Sequence, residues 1–263
     1  MKIFWLITAI LLLSSCKGSV SVAESNTDKQ VDTSREYVAN LPLVDNSQVA
    51  HYKVFLIGNS HTSGVGELLA LLISNSSADK EVTVAQGFDT FLDVALYNEI
   101  IHEQIDNTQW SHVILQGQKY SQSQSRTYST IETTQWIQLV KEKSATPILF
   151  PEHPQKGHSS EARYVHNIHL GIAKKEASCV APVGITWDKV LEVQPHLKLH
   201  EADGNHATQL GKLLTALVLY EVVTGQPAEL LPFIPEIPTD EVTQSFLAKT
   251  ASQVTAENEN CFY

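Results

Sequence analysis

The sequence predicts an α/β fold: a three-layer α/β/α sandwich around a central parallel sheet of about five strands. Three observations predict it. Short apolar runs rich in β-branched and aromatic residues recur along the chain. Longer segments with apolar residues at helical spacing separate them. The region they occupy, about 210 residues, is long enough for one domain with a sizeable core.

The expected strands are residues 54–57, 82–85, 112–115, 147–150 and 180–185. Each is short and apolar without alternation, the pattern of strands covered on both faces. The first helix, 62–73, carries Val65, Leu68, Leu69 and Leu72 on one side. The second, 91–105, repeats Leu92, Ala95, Leu96, Ile100 and Ile101. Helices at 131–143 and 160–177 follow. The segment 207–223 is strongly apolar on one face, with Leu210, Leu213, Leu214, Leu217 and Tyr220, and Gly225 reads as its C-terminal stop. Four prolines between 227 and 238 mark an extended surface connection, and 239–253 reads as a last amphipathic helix. No internal repeat is present.

The ends read differently. Residues 1–15 form a signal peptide: Lys2, then an apolar run from 3 to 13, too short to span a bilayer of roughly 30 Å. Leu13-Ser14-Ser15-Cys16 resembles the bacterial lipobox, which makes Cys16 the expected lipidation site; an ordinary secretory signal with an incidental Cys16 is the alternative. Residues 16–50, polar and aperiodic, read as a tether, 51–256 as the domain, and 257–263 as a tail. The expected location is the bacterial cell envelope, lipid-anchored, with the outer membrane favoured because Lys17 and not Asp follows the cysteine. The 263 residues carry 18 Lys and Arg against 29 Asp and Glu, a net charge of −11. Removing residues 1–15 deletes one lysine and no acid. An acidic chain without a basic cluster argues against nucleic acid as a partner, and leaves the lipid as the membrane contact. In an oxidising compartment Cys179 and Cys261 could form a disulfide or stay as two separate thiols; both readings are open.

In open α/β sheets, ligands bind beyond the carboxyl ends of the strands. That rule selects four features. The first strand ends in Gly58-Asn59-Ser60-His61. A serine at a helix start has free backbone N–H groups beside it, which favour a developing negative charge; an N-cap is the plainer reading. The second strand ends in Gln86-Gly87-Phe88-Asp89, where Gly87 could expose its N–H or simply turn the chain. The third ends in Leu115-Gln116-Gly117-Gln118, two amides about a glycine, able to donate to an oxyanion or to be solvated turn residues. The fourth, Asp203-Gly204-Asn205-His206, precedes the long apolar helix; Asp and His three apart can act as base and orienting acid, or as cap and surface residue.

Taken together and in this order, the four blocks resemble the SGNH hydrolase superfamily, also called GDSL esterases. The resemblance spans residues 53–224. It implies a flavodoxin-like strand order, Ser60 as nucleophile, His206 as base and Asp203 as its partner. It also implies an oxyanion hole from Ser60, Gly87 and Gln118. Two departures stand out: Asn59 replaces the usual Asp, and Gln118 occupies the usual Asn place, one methylene longer. Gly-Asn-Ser-His-Thr looks like a bacterial subgroup of the superfamily, and Gln116-Gly117-Gln118 somewhat like the Gln-Gly-Glu of sialate and acetylxylan esterase relatives.

His61 is read as lining the pocket and not as the base. His166 and His169 share a helical face and read as solvated; they and His196, His200 and His206 lack a compact metal-ligand spacing. No Gly-rich phosphate loop occurs, the absence of Gly-x-Ser-x-Gly lowers the α/β-hydrolase alternative, and no metal or cofactor is expected. The expected function is a serine esterase that removes ester groups, O-acetyl above all, from carbohydrate; the partner is then a small-molecule or polysaccharide ester. A lipase, a thioesterase, an O-acetyltransferase with the same triad, or a non-catalytic surface carbohydrate-binding protein are the alternatives.

Overall fold

The central strands are apolar on both faces because both faces are covered. A computed structural model describes residues 36–77, 79–258 and 260–261. The signal peptide and Cys16 lie outside the described residues. The chain runs β1 (His51–Gly58), α1 (Val65–Ser76), β2 (Glu81–Asp89), α2 (Leu92–Ala95), α3 (Glu99–Asp106), β3 (His112–Gln116) and α4 (Ile131–Glu142). It continues through β4 (Thr146–Phe150), α5 (Glu161–Ala173), β5 (Cys179–Val180), α6 (Val183–Val193), α7 (Gln209–Thr224) and α8 (Glu241–Glu257). The five strands are parallel, in the order β2-β1-β3-β4-β5. This is the expected sandwich and strand count.

Alternation along the strands feeds two cores. Val54 and Leu56 of β1, Ile114 of β3, and Ile148 and Phe150 of β4 pack with α1, α6, α7 and α8. Phe55, Ile57, Val113, Leu115 and Leu149 pack with α2, α3, α4 and α5. Helix α7 is buried on nearly all sides, which suits its apolar composition. It ends where Gly225 takes a left-handed φ of 65° and its N–H bonds Glu221 O. After β1 the chain adds β2 on one side and then crosses to β3 on the other. The switch point, where open sheets of this kind form a crevice, therefore lies beyond the ends of β1 and β3.

Several expectations are corrected. The strand expected at 180–185 stops after Val180. Pro182 cannot donate to a ladder, and Val183, Trp187 and Val190 recur at helical spacing on the buried side of α6. The helix expected at 91–105 breaks into α2 and α3 because the Asn98 side chain accepts from Ile100 N–H and Ile101 N–H and starts a new helix. His166 and His169, expected on a solvated face, are buried on the inner side of α5. His169 Nδ1–H donates to Val165 O, and burial pushes both imidazoles down to about 4, so they are neutral.

The tether also ends earlier than expected. From residue 36 the chain lies against the domain. Asn40 N–H donates to Glu176, Asn46 Nδ2 to Ser111 O and Ser144 O, and Thr146 Oγ1 to Val44 O. Glu176 also pairs with the buried Lys141. These partners sit at the amino ends of β3 and β4, opposite the crevice. At the other edge, Cys179 and Cys261 are joined in a disulfide, and Val180 N–H donates to Asn260 O, so the tail covers the free side of β5. Among the described residues no helix is long and apolar enough to cross a membrane.

Candidate active site

The turn after β1 is built around Gly58. A Cβ there would lie 2.5 Å from Gln116 Oε1 and 2.6 Å from Thr62 Cγ2, so only glycine fits. Asn59 caps a single 3-10 turn, Ser60–Thr62, by accepting from His61 N–H at 3.1 Å. Thr62 ties the turn down: its hydroxyl donates to Asn59 O and accepts from Gln86 Nε2. Ser60 was expected at the start of α1. It opens the 3-10 turn instead, and Gly64, with a φ of 73°, stands between that turn and α1.

The base comes from the other end of the domain. In the loop before α7, Asp203 Oδ1 accepts from Asn205 N–H at 2.9 Å and His206 N–H at 3.0 Å. Its Oδ2 accepts from His206 Nδ1 at 2.5 Å. His206 first, then these backbone donors, hold the Asp203 carboxyl well below the usual carboxylate range, so it is anionic at working pH. An anion at Oδ2 puts the proton on Nδ1 and leaves Nε2 as an acceptor. That Nε2 lies 3.0 Å from Ser60 Oγ. The three triad residues read from sequence thus stand in a row, in the tautomer a general base requires. The row is open to solvent: the His206 and Asp203 side chains keep 44% and 50% of their exposure.

The expected oxyanion donors fare unequally. Ser60 N–H meets no acceptor among the described residues. Gly87 lies inside β2 and not beyond its end, over Phe55 and Ile101, where the β1–β2 register shifts between Leu56 and Gly58. The shift takes it out of regular pairing. Gln118 is a correction. Its Nε2 donates to Lys119 O at 2.8 Å and Ser129 O at 2.9 Å, and its Oε1 accepts from Thr133 Oγ1 at 2.6 Å. Both amide hydrogens are spent on the β3–α4 loop, one beside Gln118 and one just before α4. Gly117, at a φ of 97°, turns the chain between the two glutamines, and it is Gln116 that faces the nucleophile turn. Gln116 Oε1 accepts from Asn59 N–H at 2.8 Å, and its Nε2 donates to Glu152 Oε2 at 2.7 Å.

Glu152 and His153 were missed in the sequence. They follow β4, so the strand-end rule that selected the other blocks would have reached them. His153 Nε2 bonds Asn205 O at 2.9 Å, and its ring stacks on Trp187 at 3.8 Å and 7°. Burial pushes this imidazole down to about 3, so it is neutral. His61 stacks beside His206 with centroids 5.7 Å apart. No group of three or more potential metal ligands occurs among the described residues.

No family model and no curated protein matches the chain. Solved structures do. A candidate SGNH hydrolase from Slackia heliotrinireducens superposes with a TM-score of 0.54 at 21% identity, covering 65% of this chain and 98% of that one. A DUF4886 family protein from Bacteroides uniformis superposes with a TM-score of 0.59 at 13% identity, covering 79% and 96%. At these identities the likeness is one of fold, and the fold of this chain is that of the SGNH hydrolases.

Proposed function

We propose that this protein is a serine esterase working by two-step acyl transfer. The observation that carries the reading is the row from Asp203 Oδ2 through His206 to Ser60 Oγ, at 2.5 and 3.0 Å. His206 takes the Ser60 proton as Oγ attacks the ester carbonyl. The oxyanion is met by the N–H of Ser60, with Gly87 N–H as its partner. His206 then protonates the leaving alcohol, and water, deprotonated by the same nitrogen, releases the acid. The shared fold is in keeping with this chemistry but does not by itself carry it.

The substrate we favour is an O-acetylated carbohydrate. Two features support it. The triad is half exposed, which suits a small acyl group on a large alcohol. A groove of about 940 Å³ lined by polar groups, Gln155, Lys156, Arg163, Asp188 and Glu192 among them but none of the triad, adjoins the base loop through Lys156, whose N–H bonds Gly204 O. For location we propose the cell envelope with a lipid on Cys16. In support, the described chain joins the domain at the amino ends of the strands, opposite Ser60. A panel of acetylated sugars and longer p-nitrophenyl esters tests the substrate. Acetyl sugars should turn over fastest, and Ser60→Ala should abolish turnover. Preference for long acyl chains would overturn the carbohydrate reading, and full activity in Ser60→Ala the catalytic one.

A further inference from the structure

We propose that Glu152 is the positioning residue of the nucleophile turn, acting through Gln116, and that the segment it opens, 152–156, also holds the loop bearing His206. The proposal rests on Ser60 being the nucleophile.

Hydrogen-bond accounting carries it. The Gln116 side chain has no solvent exposure. Asn59 N–H can only donate, so it fixes Gln116 Oε1 toward itself and turns Nε2 toward Glu152. The Glu152 carboxyl, partly buried, accepts there. It also meets the Tyr120 hydroxyl. Tyr120 has one proton and donates it to Glu161 Oε1 at 2.9 Å. The Tyr120 hydroxyl thus links Glu152 to Glu161 on α5. The groups facing it, Tyr120 from the β3–α4 loop and Glu161 from α5, offer no cation to hold a carboxylate. Burial in these surroundings pushes Glu152 up to about 7. Glu161 closes the network by accepting from Gln155 N–H at 2.6 Å.

The same segment grips the base loop. His153 bonds Asn205 O, Gln155 Nε2 donates to Asn205 Oδ1 at 3.1 Å, and Lys156 N–H donates to Gly204 O at 2.9 Å. Within five consecutive residues the chain thus reaches both flanks of the row, Asn59 through Gln116 on one side and Gly204 and Asn205 on the other, although Ser60 and His206 are 146 positions apart in sequence. By occupying Asn59 N–H, Gln116 leaves the next donor, Ser60 N–H, for the oxyanion.

Fluorophosphonate inactivation of the full chain tests this without a known substrate. Glu152→Gln keeps the length of the side chain and an oxygen to accept from Gln116. It should react within about threefold of wild type. Glu152→Asp keeps a carboxyl but is one methylene short. It should lose roughly thirtyfold to a hundredfold, in kinact and not in KI, because a misplacement near 1 Å costs about that much. Wild-type kinact in Glu152→Asp, or an equal loss in both variants, overturns the proposal. Equal labelling of Ser60→Ala and wild type would instead remove the nucleophile reading beneath it.

Discussion

Two polar assemblies meet at the turn after β1, and they are built on opposite principles. The Asp203–His206–Ser60 row is half exposed and charged at one end. The Gln116–Glu152–Tyr120–Glu161 network centres on the buried Gln116 and Glu161, with Glu152 and Tyr120 partly covered. The exposed row can trade protons with solvent and substrate. The network is largely withdrawn from water, where a lost partner would strand a polar group at about 1–3 kcal/mol. In the mechanism we propose, the row moves protons and the network fixes distances. Asn59 is where they join, since its N–H belongs to the network and its neighbour Ser60 to the row.

Substitutions that probe each assembly sharpen or break this contrast. The largest effect is expected in the row. Ser60→Ala or His206→Ala should lower ester turnover at least about a thousandfold; steady-state kinetics on p-nitrophenyl acetate decide it. Next comes the pH dependence of stability set by the network. Glu152 titrates near 7 in the folded protein against 4.5 for an ordinary glutamate. The folded state therefore holds the proton more tightly. Wild type should lose stability relative to Glu152→Gln as pH rises from about 4.5 through 7, by roughly 3 kcal/mol, and no further above that. Urea unfolding of both proteins at pH 5 and pH 8 measures it; parallel behaviour would deny the raised carboxyl.

A smaller effect is expected where the assemblies are braced. His153→Phe keeps a ring against Trp187 but loses the bond to Asn205 O, and kcat should fall about tenfold with KM little changed. The smallest concerns Gln118. Its alanine variant should keep kcat within about twofold while losing about 1–3 kcal/mol of stability, since its amide serves the start of α4. A hundredfold drop in kcat would return it to the oxyanion hole.

The sheet and its order of elements were legible because buried parallel strands are written as unbroken apolar runs. The loops that bring Ser60, Asp203 and His206 into a row were legible because strand ends and helix starts confine chemistry to a few places, and the four blocks together, not any one alone, singled these residues out. What could not be read was which way each strand-end side chain faces. Gln116 and Gln118 have the same chemistry and differ only through the turn at Gly117. Ile185 and its β-branched neighbours read as strand because six residues cannot separate a period of two from one of 3.6; the spacing from Val183 to Val190 can. Glu152 is a single carboxylate with no motif around it, and its meaning comes from what buries it.

The account stands most directly on the identity of the nucleophile. Peptide mass spectrometry of the fluorophosphonate-treated protein should find one adduct, on Ser60, absent when His206 is replaced by alanine. An adduct on another residue, or none in the wild-type protein, would contradict it.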